Sequence, residues 1–285
     1  MKLLRVGAVG RERPAALDAH GRLVDLSGVV AEIDGAFLAD GGVEAARTAL
    51  ASGELPVLTD PALRIGAPVA RPGKIVCVGL NYADHAAETA AAPPAEPILF
   101  LKAPNTVVGP NDPVLLPRGS VKTDWEVELA VVVGRTARYL DSDAEALACV
   151  AGYAVSNDLS EREFQLERGG QWDKGKSCET FNPLGPWLVT ADEIPDPQDL
   201  GLRLAVNGKR RQDGHTGRMF FGVAEIVRYV SRFMVLEPGD VINTGTPAGV
   251  ALGQPEPKPY LRAGDVMDVE IDGLGSQRLT VREAP

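Results

Sequence analysis

The sequence predicts an α+β fold in which strands dominate. Short β-branched runs recur along most of the chain from Lys74 onward, and few stretches carry the longer periodicity of a helix. No fixed-period repeat, heptad array or low-complexity tract points to a solenoid, a coiled coil or disorder.

Residues 1–68 read as a small β-rich N-terminal domain. A strand over Leu3–Val9 leads to a second through Ala15–Leu17, then a turn at Ala19–Arg22 and a return through Leu23–Leu26. A helical stretch follows near Val43–Ala51, and the proline-rich segment Pro56–Pro72 connects to the main body, residues 69–285. There the expected strands are Ile75–Val78, Ile98–Leu101, Val114–Leu116, Trp125–Val133, Tyr153–Ser156, Trp187–Thr190, Leu202–Val206, Val241–Thr244 and Val266–Ile271. The clearest helices are Asp143–Val150, Ser160–Arg168 and Val223–Phe233.

With 45% hydrophobic and 24% charged residues, the chain has the composition of a folded body rather than of disorder. The formal net charge of −10, with no cluster of Lys and Arg, argues against a nucleic-acid partner. An anionic substrate would need a local positive charge, such as a metal ion, Lys or Arg. Charges interrupt the first residues too early for a signal-peptide core, and no run is long enough to span a membrane, so the expectation is a cytoplasmic protein without membrane association. The three cysteines, Cys77, Cys149 and Cys178, are widely spaced and read as packing residues.

Alternation along Trp125–Val133 sends Glu126 and Glu128 to one face and Val127, Leu129, Val131 and Val133 to the other. Two like charges about 7 Å apart on an apolar strand repel, which a cation between them relieves; a solvated outer sheet face is the competing explanation. Asp158 ends a strand just before a predicted helix, where it either completes a metal site or caps that helix. Three carboxylates without a His or Cys cluster favour a hard cation, Mg²⁺ or Mn²⁺, over zinc. After Ile75–Val78, Asn81 can cap a short helix that places His85 and Glu88 at i and i+3 on one face. Such a pair makes a general base with a fixed tautomer, or an ordinary surface pair.

Gly170–Ser177 matches the G-x-x-x-x-G-K-[ST] phosphate-loop pattern. The pattern needs a strand before it and a helix after it. A helix is expected before it instead, and Pro183 and Pro186 oppose one after it. Lys176 remains a candidate cation for another anion. The turn Gly245–Gly249 offers backbone N–H groups to a carboxylate.

Several segments together resemble the fumarylacetoacetate hydrolase family in its shorter bacterial form. They are Gly79–His85 with Glu88, Leu99–Lys102, Glu126-Val127-Glu128, Asn157-Asp158, Gln165, Lys176-Ser177 and Asn243–Pro247, in order between about Lys74 and Val281. The resemblance implies a mixed β-roll core, a homodimer, and Mg²⁺ or Mn²⁺ held by Glu126, Glu128 and Asp158. It also implies catalytic His85 and Glu88 on a lid, with Arg162, Gln165, Lys176 and Thr246 lining the site. Arg168–Trp172 looks most like members that cleave 2,4-diketo-3-deoxy sugar acids. Glu179 stands where relatives often carry Asp, and Gly217-Arg218 receives no role.

The expected activity is metal-dependent hydrolysis of the C–C bond of a 2,4-diketo acid of the acylpyruvate type, giving pyruvate and a second acid. The same apparatus suits an oxaloacetate decarboxylase or a 2-hydroxyhepta-2,4-diene-1,7-dioate isomerase or decarboxylase, and after these a ureidoglycolate lyase. Outside enzymology, a nucleotide switch built on Gly170–Ser177 predicts ATP or GTP binding, and a metal-binding scaffold predicts metal uptake without turnover.

Overall fold

The computed structural model describes residues 1–88 and 92–285. Among them, a ten-stranded mixed sheet runs in the order Leu23–Asp25, Arg13–Leu17, Lys2–Val6, Leu188–Thr190, Val150–Asn157, Val127–Val133, Val241–Asn243, Ile75–Gly79 and Ile98–Lys102, with Ile65–Gly66 paired to Lys2–Val6. A second sheet of five strands comprises Lys209–His215, Gly201–Val206, Val266–Ile271, Gly275–Glu283 and Val114–Leu116. The fold is therefore β-dominated α+β, as the sequence predicts.

Val127–Val133 is the central strand, and it is buried on both faces. Val127, Leu129, Val131 and Val133 enter the largest core cluster with Leu202, Leu204, Val269 and Leu279 of the second sheet. On the opposite face, Ala130 packs with Ile75, Cys77 and Val241, while Val132 meets Leu3, Leu26 and Phe37. Double burial explains why the second half of this strand is a continuous apolar run instead of an alternation. The N-terminal strands join the same sheet through Leu3 opposite Leu188.

Several elements differ from expectation. The first strand stops at Val6, where Gly7 turns the chain at φ 130°. The helix expected over Ser160–Arg168 is instead a short strand, Ser160–Glu161, followed by a π-helical turn over Glu163–Glu167. The buried Glu161 carboxylate explains the strand, because it accepts from Thr123 Oγ1 at 2.9 Å and from the Lys122 backbone, fixing Ser160–Glu161 beside Thr123–Asp124. Helix Asp143–Ala148 starts at a Ser142/Glu145 capping box and ends before Val150, which opens the next strand. Lys209–His215 escaped notice because its outer positions are charged and exposed. No helix among the described residues is long and apolar enough to cross a membrane.

Candidate active site

Glu126, immediately before the central strand, and Glu128, within it, point into the same cavity, and the chain opposite brings Asp158 to them. Val127 pairs with Asn157 and Glu128 with Ser156. The Asp158 N–H donates to Glu126 O at 2.9 Å, and the Glu126 N–H donates to Asn157 Oδ1 at 3.0 Å. One carboxylate oxygen from each of Glu126, Glu128 and Asp158 falls within 4.8 Å of the others, and all three residues are buried. The outer-face explanation for the glutamates fails on that burial. Asp158 is not a helix cap either, since its carboxylate is held by Lys102 and Lys176.

Buried charge of one sign must be answered. Lys176 Nζ lies 2.6 Å from Glu126 Oε2 and 3.0 Å from Asp158 Oδ2. Lys102 Nζ pairs with Asp158 Oδ1 and donates to Leu159 O at 3.0 Å. Arg162 places Nη2 2.6 Å from Glu126 Oε1, Nε 2.9 Å from Asp124 Oδ2 and Nη1 3.0 Å from Gln165 Oε1. Asp124 also accepts the N–H groups of Ala251 and Leu252 at 2.7 and 2.9 Å.

The two glutamates end up electrostatically opposite. Burial alone would raise the Glu126 carboxyl, but Lys176 and Arg162 outweigh it and hold Glu126 at about 2. Glu128 is driven well above the carboxylate range by burial and then by the charges of Asp158 and Glu126. Its hydrogen bond from Gly245 N–H, at 2.7 Å, does not offset this, and no ion pair reaches it among the described residues. Burial lowers the Lys176 ammonium and its acidic neighbours raise it further, so it stays a cation. Three buried hard oxygen donors, one of them short of positive charge, fit a divalent cation of the Mg²⁺ or Mn²⁺ type.

Helix Ala83–Glu88 follows strand Ile75–Gly79 and carries His85, which is 6% exposed. His85 Nδ1 stands 2.8 Å from Glu88 Oε1, and the Gly249 N–H donates to Glu88 Oε2 at 2.9 Å. Asn81 does not cap this helix. It is fully buried, donates through Nδ2 to Thr244 O and Phe221 O, and accepts from the Phe221 N–H, so it ties three segments together. Gly245, at φ 101°, permits this: a Cβ there would sit 2.7 Å from Asn81 Cβ. Thr246 donates to Val127 O at 2.9 Å and accepts from Gln212 Nε2 at 2.8 Å.

These elements surround a cavity of about 260 Å³. His85, Glu126, Glu128, Arg162, Gln165, Lys176 and Thr246 line it. Glu88 and Asp158 stand behind the wall, Glu88 on His85 and Asp158 on the two lysines. Lys102, Asp124, Gln212 and Trp172 were not singled out as site residues in the sequence. Asp124 had a signal, since the alternation that pairs Glu126 with Glu128 extends back to it; Lys102 had a weaker one, as the lone charge ending an apolar strand. Gly170–Ser177 is not a phosphate loop: a π-helical turn precedes it, and its Lys176 is turned onto buried carboxylates.

The family model described as fumarylacetoacetate (FAA) hydrolase, C-terminal, matches residues 74–282. The chain belongs to that family. A Burkholderia ambifaria protein, provisionally named a hydrolase, is 53% identical with both chains covered in full. Three solved structures also cover both chains fully. They are the fumarylacetoacetate hydrolase of Exiguobacterium antarcticum (38% identity, TM-score 0.86), the 5-carboxymethyl-2-hydroxymuconate delta-isomerase of Mycobacterium smegmatis (30%, 0.77), and the maleylpyruvate hydrolase of Sphingobium sp. SYK-6 in complex with manganese(II) and pyruvate (28%, 0.82). This family thus includes both hydrolases and isomerases among the chain's relatives, all of one fold.

Proposed function

We propose that this protein is a Mg²⁺- or Mn²⁺-dependent hydrolase that cleaves the C3–C4 bond of an acylpyruvate-type 2,4-diketo acid. The observation that carries the reading is a cluster of three buried carboxylates, two of them lining the cavity that a carboxylate-oriented histidine also lines. Glu126, Glu128 and Asp158 would hold the ion, which when bound supplies Lewis-acid stabilisation of negative charge developing on the substrate's C2 oxygen.

The protein's own groups do the rest. Glu88 fixes the His85 tautomer through Nδ1, and Nε2 of the imidazole takes a proton from water. The oxygen of that water bonds to C4, the C3–C4 bond breaks, and its electron pair passes to C3, which takes up a proton to give the methyl group of pyruvate. C4 leaves as the second carboxylic acid. Lys176 and Arg162 put fixed positive charge beside the developing anion. The maleylpyruvate hydrolase among the relatives, captured with manganese and pyruvate, supports this direction. The isomerase relative favours a second reading in which the same floor stabilises a dienolate and no water is activated.

Incubating the Mn²⁺-loaded protein with an acylpyruvate should release pyruvate and acid in equal amounts. Double-bond migration in a hydroxymuconate-type diacid, or CO₂ release from oxaloacetate, without pyruvate release from any acylpyruvate would overturn the hydrolase reading.

A further inference from the structure

The walls of the cavity change character from floor to mouth. Every polar lining side chain, from His85 to Thr246, is buried, whereas Leu80, Phe100, Trp172 and Leu252 are half-buried and Leu166 is 44% exposed. The chemistry therefore sits at the bottom of a throat whose outer part is hydrocarbon. Phe100 and Trp172 meet edge to face, with ring centroids 5.5 Å apart. Gly79 makes room for the indole: a Cβ there would lie 2.7 Å from a Trp172 ring carbon, so any side chain at 79 displaces this wall.

The lining cations among the described residues are Arg162 and Lys176, both at the floor and both committed to Glu126. Arg218 does not line the cavity; it reaches Asp84 at 3.4 Å. A charged or heavily hydroxylated group in the throat would give up its water without ion pairs in return, which is costly, whereas an apolar group gains by leaving water.

Resting on the hydrolase reading above, we propose that the substrate's acyl part is an uncharged alkyl or aryl group, and that Leu80, Phe100, Leu166, Trp172 and Leu252 select it. Neither a tail ending in a second carboxylate nor a polyhydroxylated sugar-acid tail suits this wall.

The test uses uncleavable ligands, so that binding is read apart from turnover. Calorimetry on the Mn²⁺-loaded protein would compare pyruvate, 2-oxobutanoate and 2-oxohexanoate with 2-oxohexanedioate and 2-oxogluconate. Affinity should rise about fourfold per methylene along the alkyl series, from the free energy of burying a CH₂. The dicarboxylate and the sugar acid should bind on the order of tenfold or more weaker than 2-oxohexanoate. Affinity independent of chain length, or a dicarboxylate or sugar acid that binds as tightly as 2-oxohexanoate, overturns the proposal. Leu166→Arg, checked for folding by circular dichroism, should turn the preference toward 2-oxohexanedioate; a folded variant that keeps the alkyl preference unchanged also counts against it. If the alkyl series binds as expected while acylpyruvates release no pyruvate, the pocket assignment stands and the hydrolase reading falls.

Discussion

Glu126, Glu128 and Asp158 arise from paired strands at the centre of the main sheet, whereas His85 and Glu88 ride on a six-residue helix at the cavity's side. The floor is locked by backbone pairing and by Lys102, Lys176 and Arg162 in a buried lattice of ion pairs. A helix as short as Ala83–Glu88 has little stability of its own. It is fastened by carboxylates reaching backbone N–H groups, Asp84 from Ala248 at 3.3 Å and Glu88 from Gly249 at 2.9 Å. The difference separates two needs. Under the proposed function, charge would be preorganised before substrate arrives, while the base would sit on an element held by only a few hydrogen bonds.

If the floor holds a cation that stabilises developing charge, Glu128→Gln should have the largest effect on activity. It removes the carboxylate with no ion-pair partner among the described residues, so the lattice around Glu126 survives. Turnover should fall by about 10³-fold, from several kcal/mol of lost charge stabilisation, and titration with Mn²⁺ should show weakened binding. A variant with wild-type Mn²⁺ affinity and turnover would remove Glu128 from the metal site.

Arg162→Met tests the lattice itself. It strips Asp124 and Glu126 of a shared buried partner, and losing one member of such a pair costs about 3–5 kcal/mol. Chemical denaturation of the metal-free protein measures this. A change below about 1 kcal/mol would mean that the floor is not held together by its ion pairs.

How much of this was legible in the sequence follows the same division. The floor was readable in part: period-2 alternation places Glu126 beside Glu128, but it left a solvated outer face open until burial on both sides of the strand excluded it. Asp158 was readable as a strand-end carboxylate, but the local pattern left metal ligand and helix cap both open, because strand pairing across 30 residues leaves no local trace; the family resemblance favoured the metal site. His85 and Glu88 were readable as an i, i+3 pair, but the work of Asn81 was misjudged. Its side chain bonds to residues 140 and 163 positions away, so local capping rules had no access to the partners that win. The Ser160–Arg168 segment failed for a like reason: helical periodicity was overridden by the buried Glu161 carboxylate and by Arg162 bonding back to Asp124.

The helix side predicts smaller effects that leave the floor untouched. His85→Ala should lower turnover by ~10²-fold, a typical contribution of general-base catalysis, while Mn²⁺ affinity stays at the wild-type level. Equal losses in both quantities would place His85 in the metal site instead.

Arg218→Ala should do least. The Arg218 and Asp84 side chains are 63% and 28% exposed, and an ion pair so open to water is worth about 0–1 kcal/mol. Asp84 keeps its bond from the Ala248 N–H without Arg218, so the helix retains its fastening. Turnover and thermal midpoint should therefore change little, by under about threefold in kcat/KM. The variant sharpens the contrast between floor and helix, because a large loss would have one ready source. Arg218 would then be meeting the substrate's far end with its charge, and both the uncharged throat and the purely fastening role of the Asp84 pair would have to be given up.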